Sequence, residues 1–290
     1  MRCALALLLA IAFSPAVRAQ EKTFDSNGVK IAYLDEGKGD VVVLLHGFGG
    51  KAADTWKSVP FAPAQVMTEL AKEYRVIAPD QRGHGKSDKP HDPKKYGAEM
   101  ADDMVRLLDH LKVKKAHVVG YSMGATVAGK LLVAHPDRLL SVTFGGGGPA
   151  YQPPKEIVAV LEATAASLDK GKGIGPLIIG LTPAGQKPPT ADEAAALSNL
   201  FLGGSDQTAL AAVARGLTGL EVTEKELKAN RVPVRFVYGS LDPLKELAIR
   251  AGKLLDKSDA VVIEKGNHIS TLTDPKFRKA IAEFLKANKP

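Results

Sequence analysis

The chain has 290 residues, of which 45% are hydrophobic and 24% are charged, and its formal net charge is +7. This length is enough for one large domain with a buried core, and the ordinary composition excludes a fibrous or low-complexity protein. The lysines and arginines are scattered and form no dense basic block, so we expect a solvated basic surface and no nucleic-acid partner.

Residues 1–19 are typical of a secretory signal peptide. Arg2 supplies positive charge, residues 4–13 form an apolar run, and Ala19 ends a small-residue cleavage site. The apolar run is too short to cross a bilayer, which takes roughly 20 residues. We therefore expect cleavage near Ala19, export to the periplasm or the medium, and no stable membrane span; the alternative is a buried N-terminal helix. Cleavage removes Cys3, the only cysteine, so disulfides cannot stabilise the exported protein.

The next segments predict a largely parallel sheet. Strands at 22–24 and 29–34 flank a turn and indicate an antiparallel hairpin at a sheet edge. Residues 41–45 are apolar at every position, as in a strand that is covered on both faces. Alternating strands and helices predict an α/β fold with helices on both faces of the sheet. Further strands are predicted at 74–79, 116–119, 140–144, 234–239 and 260–264, and helices at 100–111, 125–134, 243–255 and 275–287.

The strand pattern stops between residues 149 and 231, where helix-like segments occur at 157–168, 191–202, 208–220 and 223–229. This stretch predicts a helical cap, inserted into a core made of residues 20–148 and 232–290. Because ligands bind beyond the carboxyl ends of the strands in such sheets, we expect the cap to wall an apolar pocket. The alternative is helical packing with no part in substrate choice.

Residues Gly120-Tyr121-Ser122-Met123-Gly124 have the form G-x-S-x-G, between a predicted strand and a predicted helix. An abrupt turn there forces the serine into a strained backbone and leaves its hydroxyl exposed, while the glycines let helix and strand pack closely. The Met123 amide, at the helix N-terminus, is placed to stabilise an anion. The motif predicts that Ser122 is a nucleophile; the alternative is a plain strand-to-helix turn.

A serine hydroxyl needs a base to take its proton, and the base needs a carboxylate to orient it. His268 lies just past the last predicted strand, and Asp242 directly follows the strand before it. Both therefore belong to the sheet edge that carries Ser122, and we predict that they are the base and its partner. The alternatives are an exposed loop histidine at 268 and a helix N-cap at 242.

The loop after residues 41–45 is expected to supply a second oxyanion donor, the backbone amide of Phe48. His46, Arg82 and His84 are interpreted as structural residues that brace this loop. Apolar side chains proposed to contact substrate are Phe48, Phe144, Phe201 and Ile269.

Five motifs, in this order, resemble the α/β-hydrolase superfamily, including its serine esterase-like members. The resemblance covers nearly the whole mature chain except the cap, and it implies an eight-stranded, mostly parallel sheet and a Ser-His-Asp triad. The predicted cap lies between strands 6 and 7, and such a triad requires no cofactor or metal. Two departures are the longer stretch 51–55 and an alanine at 125, where a third glycine is frequent. The motifs are His46-Gly47-Phe48-Gly49, Asp80-x-Arg82-Gly83-His84-Gly85-x-Ser87, Gly120-x-Ser122-Met123-Gly124, Gly239-x-x-Asp242 and Gly266-x-His268.

These observations together predict an exported serine hydrolase that acts on a small-molecule carboxylic ester with an apolar acyl group. A carbon–carbon bond hydrolase, a lactonase, an amidase or a perhydrolase could use the same triad. Serine at position 122 argues against the haloalkane dehalogenase and epoxide hydrolase members, which the resemblance implies carry aspartate there. A non-catalytic ligand-binding protein is the alternative from another functional class.

Overall fold

A computed structural model describes residues 20–57 and 65–290. The predicted signal peptide and its cleavage site lie outside the described residues. Within these ranges, every helix is too short or too polar to cross a membrane.

In the described part of the chain, eight strands form a single sheet in the order β1-β2-β4-β3-β5-β6-β7-β8. The first two strands form the predicted antiparallel edge hairpin, and all pairings from β3 to β8 are parallel. The predicted eight-stranded, mostly parallel sheet is therefore confirmed. The strands are β1 (Gln20–Asp25), β2 (Lys30–Gly37), β3 (Val41–Leu45), β4 (Arg75–Pro79), β5 (Ala116–Tyr121), β6 (Leu139–Gly145), β7 (Val234–Gly239) and β8 (Ser258–Ile263).

Helices cover both faces of the sheet. Alternate residues of β3 show this directly: Val43 and Leu45 join one buried cluster with α3, α4 and α10, whereas Val42 and Leu44 join a second cluster with α1, α2 and α12. Burial on both faces explains why every residue of this strand is apolar. The helices are α1 (Ala52–Trp56), α2 (Val66–Leu70), α3 (Ala98–His110), α4 (Met123–Ala134), α10 (Lys245–Gly252), α11 (Ser270–Thr273) and α12 (Pro275–Ala287).

Five further helices lie between β6 and β7, in the stretch predicted as a cap. The loop after β3 meets this region, because Phe48 packs against a small cap cluster that includes Ile174 and Leu202. The predicted segments coincide with four of these helices to within a few residues, but α6 was not predicted. The helices are α5 (Lys155–Asp169), α6 (Gly175–Gly180), α7 (Ala191–Leu202), α8 (Gln207–Gly216) and α9 (Glu224–Ala229).

Candidate active site

Ser122 occupies a strained turn between the end of β5 and the start of α4. Its φ of 56° and ψ of −119° are unusual for a residue with a side chain, at a cost of about 1–3 kcal/mol. A Cβ on Gly120 would lie 2.2 Å from the carbonyl oxygen of Gly124, and a Cβ on Gly124 would lie 2.1 Å from that of Leu45. The turn therefore has no room for larger residues, and this close packing holds Ser122 beside the end of β3.

The structure brings Ser122, His268 and Asp242 together. His268 lies in the loop between β8 and α11, and its Nε2 is 3.0 Å from the Ser122 Oγ. The His268 Nδ1 lies 3.1 and 3.0 Å from the two carboxylate oxygens of Asp242, which is fully buried. Because a carboxylate only accepts, Nδ1 carries the hydrogen and Nε2 presents a lone pair to the serine hydroxyl.

Asp242 has a second role in the turn after β7. Its Oδ1 accepts a hydrogen bond of 2.9 Å from the Leu244 amide. The predicted helix from Pro243 begins two residues later, at Lys245, so Asp242 is not its N-cap. The side chain instead closes a short turn and at the same time faces the imidazole.

The backbone beside Ser122 orients the predicted oxyanion donors. The Gly47 carbonyl accepts hydrogen bonds from His46 Nδ1 at 2.8 Å and from the Gly50 amide at 3.1 Å. Since the peptide bond is trans, the Phe48 N–H points away from that carbonyl. Met123 is the first residue of α4, so its N–H has no intrahelical partner. A Cβ on Gly47 would lie 3.3 Å from the Ser122 Cβ, so this loop packs against the serine.

His46 is held in one tautomer beneath this loop. The backbone amide of Gln81 donates to His46 Nε2 at 3.0 Å, so Nδ1 must be the nitrogen that donates to the Gly47 carbonyl. Burial lowers the pKa of His46 despite the nearby Asp80 charge, which keeps the ring neutral. A neutral ring is required, because protonated Nε2 could no longer accept from Gln81.

The residues after β4 brace the same region. The Arg82 guanidinium donates to both carboxylate oxygens of Asp103 at 2.6 Å, and both side chains are 1% exposed. Asp80 accepts from the amides of Ala52 and Lys86, each at 2.8 Å, and so joins α1 to this loop. None of these contacts involves Ser122, so they are structural contacts.

Two mostly apolar cavities meet at Ser122. One has a volume of about 170 Å³ and the other about 300 Å³. Phe48, Ser122, Leu177 and Leu181 line both of them. Only the smaller cavity is bordered by His268, Ile269 and Phe201, and only the larger one by Met123, Ile157 and Leu161.

One predicted substrate contact is wrong. Phe144 in β6 is fully buried and stacks on Phe236, with 5.1 Å between ring centroids, so it belongs to the core and not to either cavity. Leu177 and Leu181, which line both cavities, were not among the predicted substrate contacts. Leu177 lies in α6 and Leu181 directly follows it; this helix has only six residues and begins with Gly-Pro, a pair that is typical of a loop.

A groove of about 460 Å³ lies elsewhere, between α2 and α12. Charged side chains such as Glu69, Lys72 and Lys279 line it, and it contains no predicted site residue. It also borders Gln65, where the described residues resume after a gap, so we assign it no role. Nowhere in the described ranges do three or more histidine, cysteine, aspartate or glutamate side chains cluster as metal ligands would.

Comparisons with known proteins agree with this fold. A family model described as the alpha/beta hydrolase fold matches residues 40–171. Epoxide hydrolase 3 of Siraitia grosvenorii is 37% identical over 134 residues, which are 44% of this chain and 40% of that protein. The 2-hydroxymuconate semialdehyde hydrolase of Pseudomonas sp. strain CF600 is 34% identical over 125 residues, 43% of this chain and 42% of that protein. The chain thus matches less than half the length of these curated relatives.

The structural likeness extends much further along the chain. A thermophilic esterase from Thermogutta terrifontis superposes with a TM-score of 0.73 at 25% identity, over 94% of this chain and 100% of the esterase. Sheet order, family model and structural likeness agree, and the chain has the α/β-hydrolase fold.

Proposed function

We propose that the chain is a serine hydrolase that cleaves carboxylic esters through an acyl-enzyme. The Ser122 Oγ bonds to the acyl carbon while His268 takes the serine proton. The carbon–oxygen bond to the alcohol then breaks, and His268 returns the proton to the departing oxygen. Water repeats the sequence on the acyl-enzyme and releases the acid. The continuous contact from Ser122 through His268 to Asp242 carries this proposal.

The backbone supports the same chemistry. Negative charge develops on the carbonyl oxygen of the ester when the serine attacks, and fixed amide donors stabilise it most in a water-poor site. The Phe48 and Met123 amides are the proposed donors. The hydrogen bonds of His46 and Gly50 to the Gly47 carbonyl hold the peptide that bears the Phe48 N–H in place before substrate arrives.

Epoxide hydrolysis, although several curated relatives are named for it, does not suit a serine nucleophile. Attack of a serine oxygen on an epoxide carbon would leave an ether, which water does not cleave under these conditions. Attack on an ester carbonyl leaves an acyl-serine, which the same histidine can hydrolyse with water. The residue at position 122 therefore favours acyl transfer.

Carbon–carbon bond hydrolysis is the second candidate, because one relative is named for such an activity. The charges at the cavities favour a neutral ester. In the described part of the chain, the charged residues that line the two cavities are Asp54, Glu156 and Glu246. The substrate for which that relative is named carries a free carboxylate, which these three carboxylates would repel. A neutral ester would not be repelled.

The test is covalent labelling and turnover. A fluorophosphonate probe should label the wild-type protein and leave Ser122→Ala unlabelled, and p-nitrophenyl esters of graded acyl length should be hydrolysed. His268→Ala should lower kcat/KM roughly 10³-fold or more. Absence of labelling in folded wild-type protein would favour a ligand-binding protein, and near-normal turnover of His268→Ala would remove that residue from the mechanism.

Export is the second part of the proposal and rests on residues 1–19 alone. The mature protein should begin at Gln20, which N-terminal sequencing of the protein from the periplasm or medium would establish. An intact Met1 on protein recovered from the cytoplasm would contradict it.

A further inference from the structure

We propose that the two cavities at Ser122 hold opposite ends of the substrate: the acyl chain lies in the larger cavity and the departing alcohol lies in the smaller one. Helix α5 then sets acyl selectivity, while α6, α7 and Ile269 set alcohol selectivity. This inference rests on the proposed ester hydrolysis.

The position of His268 decides the direction. The alcohol oxygen must receive a proton from His268 Nε2 as its bond to the acyl carbon breaks, so this oxygen lies on the histidine side of Ser122. His268 borders the smaller cavity and does not line the larger one. The carbon chain of the alcohol therefore extends into the smaller cavity, beside Ile269 and Phe201.

The acyl group must occupy the remaining side. It stays on the Ser122 Oγ after the alcohol leaves, with its carbonyl oxygen towards the Phe48 and Met123 amides. Met123 lines the larger cavity only. The chain that continues from the acyl carbon thus enters the larger cavity, towards Ile157 and Leu161 of α5.

The sizes of the cavities predict which esters are preferred. The acyl cavity has a volume of about 300 Å³, against about 170 Å³ for the alcohol cavity. A further space of about 210 Å³ adjoins the acyl cavity, and Ile157, Leu161 and Leu217 line both. We therefore expect long acyl chains to be accepted more readily than long alcohols.

Helix α6 separates the two ends of the substrate. Leu177, Leu181 and Phe48 line both cavities, as Ser122 does, and so form the boundary between them. Ile178, between them in sequence, lines the smaller cavity only. A large residue at 178 therefore narrows the alcohol side, and a large residue at 157 narrows the acyl side.

Two ester series separate the two sides. One varies the acyl chain of p-nitrophenyl esters from acetate to octanoate, and the other varies the alcohol of acetates from methanol to hexanol. Ile157→Trp should lower the octanoate-to-acetate ratio of kcat/KM by about 10-fold or more and leave the hexyl-to-methyl ratio unchanged. It should also slow deacylation of the octanoyl-enzyme, because the alcohol has already left the site before that step begins.

Ile178→Trp is the matched variant and should do the reverse: lower the hexyl-to-methyl ratio and leave octanoyl deacylation unchanged. Leu161→Trp replaces Ile157→Trp if the latter does not fold. An exchange of the two patterns, or equal effects of both variants on both series, would overturn the assignment. If no ester of either series acylates Ser122, the proposed function itself would be overturned.

Discussion

The Tyr121 hydroxyl donates a hydrogen bond of 2.5 Å to the backbone carbonyl of His268. Tyr121 immediately precedes Ser122, so one side chain joins the turn that carries the proposed nucleophile to the loop that carries the proposed base. Its ring lies 5.5 Å from the imidazole and 5.5 Å from the Phe277 ring. Burial, together with the Asp242 charge, raises the pKa of Tyr121 well above its ordinary value, so the phenol remains a donor.

We expect Tyr121→Phe to lower kcat roughly 10-fold with little change in KM, because the loss of one hydrogen bond of about 1–1.5 kcal/mol loosens the His268 loop without narrowing either cavity. Steady-state kinetics on one p-nitrophenyl ester would measure both constants. Tyr96→Phe is the control, since the Tyr96 hydroxyl donates to the Pro90 carbonyl, also at 2.5 Å, away from the triad. Equal kcat values in the two variants would remove Tyr121 from the positioning of His268.

Asp242→Asn should lower kcat about 10³- to 10⁴-fold, because the amide can present its N–H₂ to His268 and stabilise the wrong tautomer. Asp206→Asn is a matched control, because Asp206 pairs with His91 at 2.9 Å on the surface and asparagine can still cap α8. The measurement is kcat for both variants at one pH. Similar rates in the two variants would show that the Asp242 carboxylate does not orient the base.

Much of the fold was predictable because the signals were local. The all-apolar run of β3, the glycines around Ser122 and the proline that follows α4 each constrain the backbone within a few residues. The first residues of α7 and α12 were also predicted correctly, and Thr190 and Asp274 cap these helix N-termini with side-chain hydrogen bonds.

The parts that sequence missed depend on tertiary packing. Phe144 and Phe201 look alike as isolated apolar residues, yet one stacks in the core and the other lines a cavity. Short α6 has no periodic pattern, although Leu177 and Leu181 border both cavities. The contact from Tyr121 to His268 joins residues 147 positions apart, so no local pattern could indicate it.

Stability should fall as the pH drops below about 6.5. Burial lowers the pKa of His84 to about 3 and that of His117 to about 4, from an ordinary value of 6.5. Between 6.5 and these values the unfolded chain binds more protons than the folded one, so protonation favours unfolding. Each histidine should lower the free energy of unfolding by about 1.4 kcal/mol per pH unit in this range.

His117→Gln isolates one of these contributions from the carboxylates that also titrate at low pH. Urea denaturation between pH 6 and pH 4.5 should give a slope against pH that is smaller than wild type by about 1.4 kcal/mol per unit. Between pH 7 and pH 8 the difference in stability between the two proteins should be constant. Parallel curves over the acidic range would mean that His117 is protonated in the folded protein as well.

The buried pair of Arg82 and Asp103 should be costly to break. Asp103→Asn leaves the Arg82 charge without its bidentate partner and should lower the free energy of unfolding by about 3–5 kcal/mol. Asp169→Asn removes the partner of Arg215 on the surface and should change the free energy of unfolding by less than about 1 kcal/mol. Urea denaturation at pH 7.5 measures the free energy of unfolding of both variants. Similar losses in the two would contradict the prediction that a buried ion pair is costlier to break than an exposed one.

The stretch inserted between β6 and β7 contributes walls to both cavities but none of Ser122, Asp242, His268, Phe48 or Met123. The atoms proposed to break the bond thus remain on the sheet and its loops, whatever occupies residues 149–231. Descendants of one gene could therefore acquire new substrates through exchange of this one contiguous segment, while the residues that carry out the chemical step are inherited unaltered.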